Sequence, residues 1–206
     1  VYAGGYTYDN DFGWDRSLLV KYNSHGVVQY KKTFDFDSCE GSGYTGLCVD
    51  SNDNVYTAGQ VYDFNDWEWA NVITKIDSNG VLVWQKIFSN QNDPYNMYNM
   101  CLAVDSDDNL YLGTEFNNPS SLDDDFFFAK FDTDGNVVWQ RMLKSYGDSD
   151  AEWSNGYQSL KVKGDKFYYC AATEVYSGNN NSSALALCLP TDGSGLGVVG
   201  NTTWEY

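Results

Sequence analysis

Any chemistry in this 206-residue chain has to come from acids and aromatic rings, because the usual activators of a nucleophile are almost missing. The single histidine, His25, lies in an Asn-Ser-His-Gly turn, so a serine or cysteine nucleophile has no credible general base and no Ser-His-Asp triad is expected. Carboxylates are plentiful. Asp9, Asp11 and Asp15 form one group, Asp63, Asp66 and Glu68 a second, and Asp123, Asp124 and Asp125 a third; Asp35, Asp37, Glu40, Asp93, Asp148, Asp150 and Glu152 stand in further connections. Interleaved with them are Trp14, Trp67, Trp69, Tyr95, Tyr98, Trp153 and Tyr157. Flat apolar rings beside hydrogen-bond acceptors suit a neutral sugar, whose C–H face stacks on a ring while its hydroxyls pair with donors and acceptors. These aromatics are the candidate glycan-binding residues. A glycosidase would need two carboxylates about 5 to 9.5 Å apart, a separation that spacing along the chain does not fix. No catalytic residue is assigned, and a protein without catalysis is expected.

Two further chemistries can be read from the same residue types. Asp123, Asp124 and Asp125 could offer calcium several oxygens, which makes them the candidate metal ligands; no other cofactor is expected. The run Asp105-Ser106-Asp107-Asp108-Asn109 opens like an EF-hand loop but lacks its glycine and distant glutamate. It matches Asp50-Ser51-Asn52-Asp53-Asn54 one repeat earlier, so both are read as tight turns. Five cysteines are present and no C-x-x-C pair, which argues against a cysteine metal site. Cys170 and Cys188 fall on adjacent expected strands and form the candidate disulfide; the alternative is five buried thiols.

The elements that must position these residues come from a repeat. Tyr2, Tyr56, Tyr111 and Tyr168 are 54, 55 and 57 residues apart, and the turn glycines Gly26, Gly80, Gly135 and Gly193 are 54, 55 and 58 apart. Four residues beyond the turn glycine stand Tyr30, Trp84 and Trp139; the fourth copy breaks this rule. Within the second copy, short apolar or alternating runs predict strands over 46–49, 55–61, 71–76 and 81–88; in the third they predict 101–104, 110–116, 126–131 and 137–143. Asn, Asp and Gly between them are turn residues. A four-stranded antiparallel unit cannot bury both faces alone, so such units stack face to face as propeller blades. The expected fold is an all-β β-propeller with blades at about 1–34, 35–88, 89–143 and 144–206, the first lacking its inner strand and the last ending in a strand at 202–206. The four blades are expected to be part of a larger ring. In this topology the acidic and aromatic connections emerge at one end of the blades and the tight turns at the other.

The phrases VYTAGQVY…NVITKIDSNGVLVWQKIF and LYLGTEF…FFFAKFDTDGNVVWQRML resemble the SBBP-type β-propeller repeat. Lys75-Ile76-Asp77 and Lys130-Phe131-Asp132 fit its Lys-x-Asp turn, Lys21-Tyr22-Asn23 fits with Asn for Asp, and Cys188-Leu189-Pro190 departs from it. The resemblance implies a secreted bacterial or phage virion setting and fixes no activity. The turn-then-Trp phrase is also similar to quinoprotein dehydrogenase propellers.

With 29 acidic against 12 basic residues, the formal charge of −17 argues against nucleic-acid or anionic-membrane partners, since phosphate attraction needs the opposite sign. An aromatic content of 17% argues equally against disorder. The expected role is a structural scaffold and recognition module, extracellular, at a cell surface or on a virion, that meets other copies or components of its own assembly and a surface glycan. The alternatives are a propeller enzyme, quinoprotein-like or polysaccharide-degrading, and a purely structural spacer or coat in a fibre or virion.

Overall fold

The computed structural model describes residues 1–11, 13–34, 39–63, 68–88, 97–117, 124–143, 152–153, 159–175 and 181–194. All regular structure among them is β, in four antiparallel sheets, as expected of a β-propeller. Among the described residues no helix is long and apolar enough to cross a membrane. The chain divides into two compact units, Val1–Tyr95 and Asn96–Glu205, each holding two sheets.

In the first unit, β1 (Tyr2–Asp9), β2 (Trp14–Tyr22) and β3 (Val28–Phe34) form a three-stranded meander, so among the described residues the first blade lacks an inner strand, as expected. β4 (Cys39–Val49), β5 (Val55–Asp63), β6 (Glu68–Ile76) and β7 (Leu82–Phe88) follow as a complete four-stranded blade. The strands run two to seven residues further into the acidic connections than the apolar runs indicate. Backbone pairing continues there through β-formers such as Tyr62, opposite Trp69, and two irregularities in β4 at Glu40/Ser42 and Tyr44/Gly46 keep the register. Leu19, Val55 and Ile76, all fully buried, join the two sheets with Tyr2, Tyr30, Phe34, Leu47 and Val49 around them. Each such aliphatic side chain stabilises by about 1.5–3 kcal/mol.

In the second unit, β8 (Met97–Val104), β9 (Leu110–Asn117), β10 (Asp124–Phe131) and β11 (Val137–Leu143) repeat the complete blade. The last sheet departs from it. Its inner position is split into β12 (Glu152–Trp153) and β13 (Ser159–Lys163), both paired with β14 (Lys166–Val175), whose other edge carries β15 (Asn181–Pro190). The strand expected at 202–206 lies outside the described residues. The core of this unit is aromatic: Phe128 and Tyr169 meet edge to face at 4.9 Å between centroids, and Trp139 stacks on Phe167 at 6.0 Å.

The outer hairpins show why the turn chemistry was readable. Asn23, Asp77 and Asp132 each accept, through Oδ1, the backbone N–H groups two and four residues on, at 2.8–3.0 Å. Gly26, Gly80 and Gly135 then take φ of 76°, 81° and 82°, the left-handed turn that ends in a bulge. The inner hairpins use the same device on Asp50 and Asp105, with Asp53 and Asp108 left-handed.

Candidate functional site

At the turn end, a transverse row of three side chains recurs. Tyr2, Lys21 and Tyr30 stand opposite one another in the first blade, Tyr56, Lys75 and Trp84 in the second, and Tyr111, Lys130 and Trp139 in the third. In every case the ammonium lies over the tyrosine ring, 4.9–5.1 Å from its centroid. An aspartate of the inner hairpin completes the row: Lys75 reaches Asp50 at 3.8 Å and Lys130 reaches Asp105 at 3.2 Å. Burial alone would raise the Asp105 carboxyl, but hydrogen bonds from Asn109, the turn backbone and Lys130 outweigh it and hold the group below the usual carboxylate range.

Among the described residues the first blade has no inner-strand aspartate, and Lys21 turns to the neighbouring blade. It bonds Asp53 Oδ2 and the carbonyl of Ser78, each at 2.8 Å. The bond to Asp53, then that to Tyr2, raises the lysine above its ordinary range. Gly80 of that neighbouring blade sits against the Tyr30 ring. In the second unit, Trp139 donates from Nε1 to the Thr191 carbonyl at 3.0 Å and covers Gly193. The row therefore fastens one blade to the next within each unit. It is scaffold, and it leaves the opposite end of the sheets free to vary.

That opposite end holds the candidate residues. Trp14 is half-buried at the start of β2, opposite Asp9. Trp69 stands opposite Tyr62, and Tyr62 opposite Glu40, with Asp63 opposite Glu68 one step further out. Tyr98 stands opposite Glu115, and Asp125 and Asp124 opposite Phe116 and Asn117. Trp153 stands opposite Glu174. Each of the four sheets thus brings an aromatic residue into register with an acidic one, or next to one, at its own end away from the tight turns. Trp67, Tyr95, Tyr157 and Asp123 lie outside the described residues. Among the described residues no group of three or more His, Cys, Asp or Glu side chains is placed to hold a metal; two of the candidate calcium ligands, Asp124 and Asp125, begin β10.

One residue was missed by the sequence reading. Glu115 on β9 is buried at 4% exposure. Its charge, after burial and Cys101, helps to push the Tyr169 hydroxyl far above its ordinary range. No sequence signal marks it: β9 is buried on both faces over Leu110–Thr114 as a matter of packing, so the next position along it also faces the interior. A carboxyl this deep beside a tyrosine of the adjacent sheet lies at the loop end of the second unit.

The expected Cys170–Cys188 bridge is not formed, and both are exposed free thiols. Cys170 stands opposite Ala186 and Cys188 opposite Tyr168. Diagonal neighbours of this kind are about 7–8 Å apart, beyond the ~4 Å between Cβ atoms that a disulfide requires. Cys101 is buried, its thiol pushed up to about 12 by burial, and Cys48 is raised the same way. Neither is a thiolate at neutral pH.

No protein-family model matches the chain, and no curated protein matches it. Solved structures do. A GH43 endo-arabinanase from Bacillus licheniformis gives a TM-score of 0.48 at 13% identity, over 90% of this chain and 68% of its own. An α-L-arabinanase of Cellvibrio cellulosa complexed with arabinohexaose gives 0.46 at 13%, over 87% and 66%. A neuraminidase-like protein of A/flat-faced bat/Peru gives 0.45 at 14%, over 97% and 58%. The chain spans 58% to 68% of the length of these structures. Of the SBBP-type resemblance the coarser content stands, a β-propeller, on the four antiparallel sheets. The expectation of a protein without catalysis is corrected, because its ground does not reach far enough. Its ground, a lone histidine in a hairpin turn, bears only on serine and cysteine nucleophiles, whereas glycoside cleavage runs on a pair of carboxylates.

Proposed function

We propose that this protein is an extracellular, carbohydrate-directed propeller of the polysaccharide-degrading kind, which holds a neutral glycan against the loop end of its blades and cleaves it. The observation that supports this reading is the shared register of aromatic and acidic residues at that end: Trp14 with Asp9, Trp69 beside Asp63 and Glu68, Trp153 with Glu174. Rings stack on sugar faces, acids accept from sugar hydroxyls, and two of the carboxylates serve as acid and base on either side of the scissile bond. Strong acidity fits work on a neutral polymer in salty surroundings, where screening relieves self-repulsion.

The test is a panel of neutral polysaccharides and oligosaccharides, arabinohexaose included, scored both for binding by calorimetry and for new reducing ends. Binding is expected to weaken about threefold to tenfold in Trp14→Ala and in Trp153→Ala. Absence of both binding and reducing-end release across the panel overturns the reading.

A further inference from the structure

Each of the first three sheets ends in an outer strand that pairs on one side. Among the described residues β3 bonds only to β2, β7 only to β6 and β11 only to β10. A free edge of this kind templates pairing with another chain unless charges or bulges blunt it. Two of the three are blunted. β3 carries Lys31 and Lys32 and exposes one aliphatic side chain, Val28; β11 carries Arg141 and exposes one, Val138. β7 closes a complete four-stranded blade in the middle of the chain and is different. Leu82, Val83 and Ile87 are 45%, 55% and 49% exposed, and Lys86 is its single charge.

The residues of β7 indicate what can cover that edge. Opposed residues in an antiparallel pair have backbone groups that face the same way, so a strand meeting its own copy pairs positions of equal parity about a residue on a two-fold axis. With Gln85 on that axis, Val83 falls opposite Ile87 of the second copy, and by symmetry Ile87 opposite Val83. Trp84 falls opposite Lys86. One face of the ribbon then holds two aliphatic pairs around a glutamine pair, and the other sets each ammonium beside an indole. No like charges meet. The charge balance points the same way: two copies at −17 repel overall, but residues 78–92 contain no acidic residue, so this edge can be approached without opposing carboxylates.

We propose that two copies of this chain join edge to edge through β7, antiparallel about Gln85, so that their two blades become one continuous sheet across a two-fold axis. Main-chain hydrogen bonds along the edge supply the attraction, and the side-chain pairs fix the register.

The test is sedimentation equilibrium of the full 206-residue chain from about 1 to about 200 µM. A monomer–dimer equilibrium is expected, tighter at about 150 mM than at about 10 mM sodium chloride because salt screens repulsion between acidic copies. Val83→Lys should weaken it about tenfold or more and keep the melting temperature, since Val83 is exposed in the single chain. Val28→Lys, on the guarded edge of β3, should leave it unchanged. In Gln85→Cys the two introduced thiols meet on the axis, and mild oxidation should link the copies there, as peptide mapping would show. A monomer throughout the range overturns the proposal, as does a dimer that Val83→Lys leaves intact or that Val28→Lys weakens equally. A dimer in which Gln85→Cys forms no link overturns the register. Should Val83→Lys melt early, Ile87→Lys, at the position opposite it, decides in its place.

Discussion

A carboxylate that accepts two backbone N–H groups and a lysine ammonium, as Asp105 does, makes its blade sensitive to acid in a predictable sense. Its folded value lies below the ordinary 3.8, as do those of Asp53, Asp77, Asp132 and Asp192, each held down by hydrogen bonds. A depressed carboxyl stabilises the fold fully above its unfolded value and loses that contribution as pH falls through the folded one. The melting temperature should therefore fall steeply on going from about pH 4.5 to about pH 2.5. In Asp105→Asn the amide oxygen still accepts from the turn but no longer neutralises Lys130. That variant should be about 2 kcal/mol less stable at pH 7 and should show a shallower acid limb, read by thermal melts across the pH series. An acid limb identical to that of the parent chain would show that Asp105 is not among the groups that titrate on unfolding. The turn function of Asp50 and Asp105 was legible in the sequence because Asp and Asn recur at the same offset from the repeat tyrosine. Their pairing with Lys75 and Lys130 was not, because it joins an inner hairpin to a strand two positions away in the sheet.

Strands and hairpins were legible wherever local chemistry sets them. The 54–55-residue spacing and the Asx turns fix eight strands in the two middle blades. What escaped is set by partners distant in sequence: the extension of β4 to Cys39, which rests on pairing with Tyr62 and Asp63, and the splitting of β12 from β13 along β14. Of the candidate site, the rings and acids were legible as types and their common end as topology; that Glu115 is withdrawn from solvent required β9 to be covered on both faces. The close approach of β4 to β5 at Gly43 and Gly59 makes a test at this scale, since the second strand has no room there for even a methyl group. Gly59→Ala should lose about 3 kcal/mol as the bulged segment of β4 is pushed off its register. Denaturant midpoints measure this. A loss under about 1 kcal/mol would mean that β4 yields without disturbing the sheet.

Across the whole molecule the largest electrostatic fact is the imbalance of 29 acidic against 12 basic residues. Salt acts on it in two opposed ways: it relieves repulsion among carboxylates and weakens the lysine–aspartate pairs, which lie within a blade for Asp50 and Asp105 and between blades for Lys21 and Asp53. The two effects differ in exposure. Asp53 is 55% exposed, so its pair with Lys21 is readily screened and worth little to begin with, whereas Lys130 and Asp105 are 17% and 10% exposed and are shielded much less. Repulsion among surface acids is spread over many groups, and it fades as the Debye length shrinks from about 30 Å at 0.01 M to about 8 Å at 0.15 M. Relief should win. Between 10 and 150 mM sodium chloride, a range too low for salting-out to matter, the melting temperature should rise by about 2–4 °C, the equivalent of about 1 kcal/mol in a domain of this size. The Lys21→Met variant separates the terms, because it removes the exposed pair and leaves the acidic surface intact. Its melting temperature should climb at least as steeply with salt as that of the parent. A fall with salt in the parent chain, abolished by Lys21→Met, would make the blade fastening, rather than acidic self-repulsion, the dominant electrostatic element of this fold.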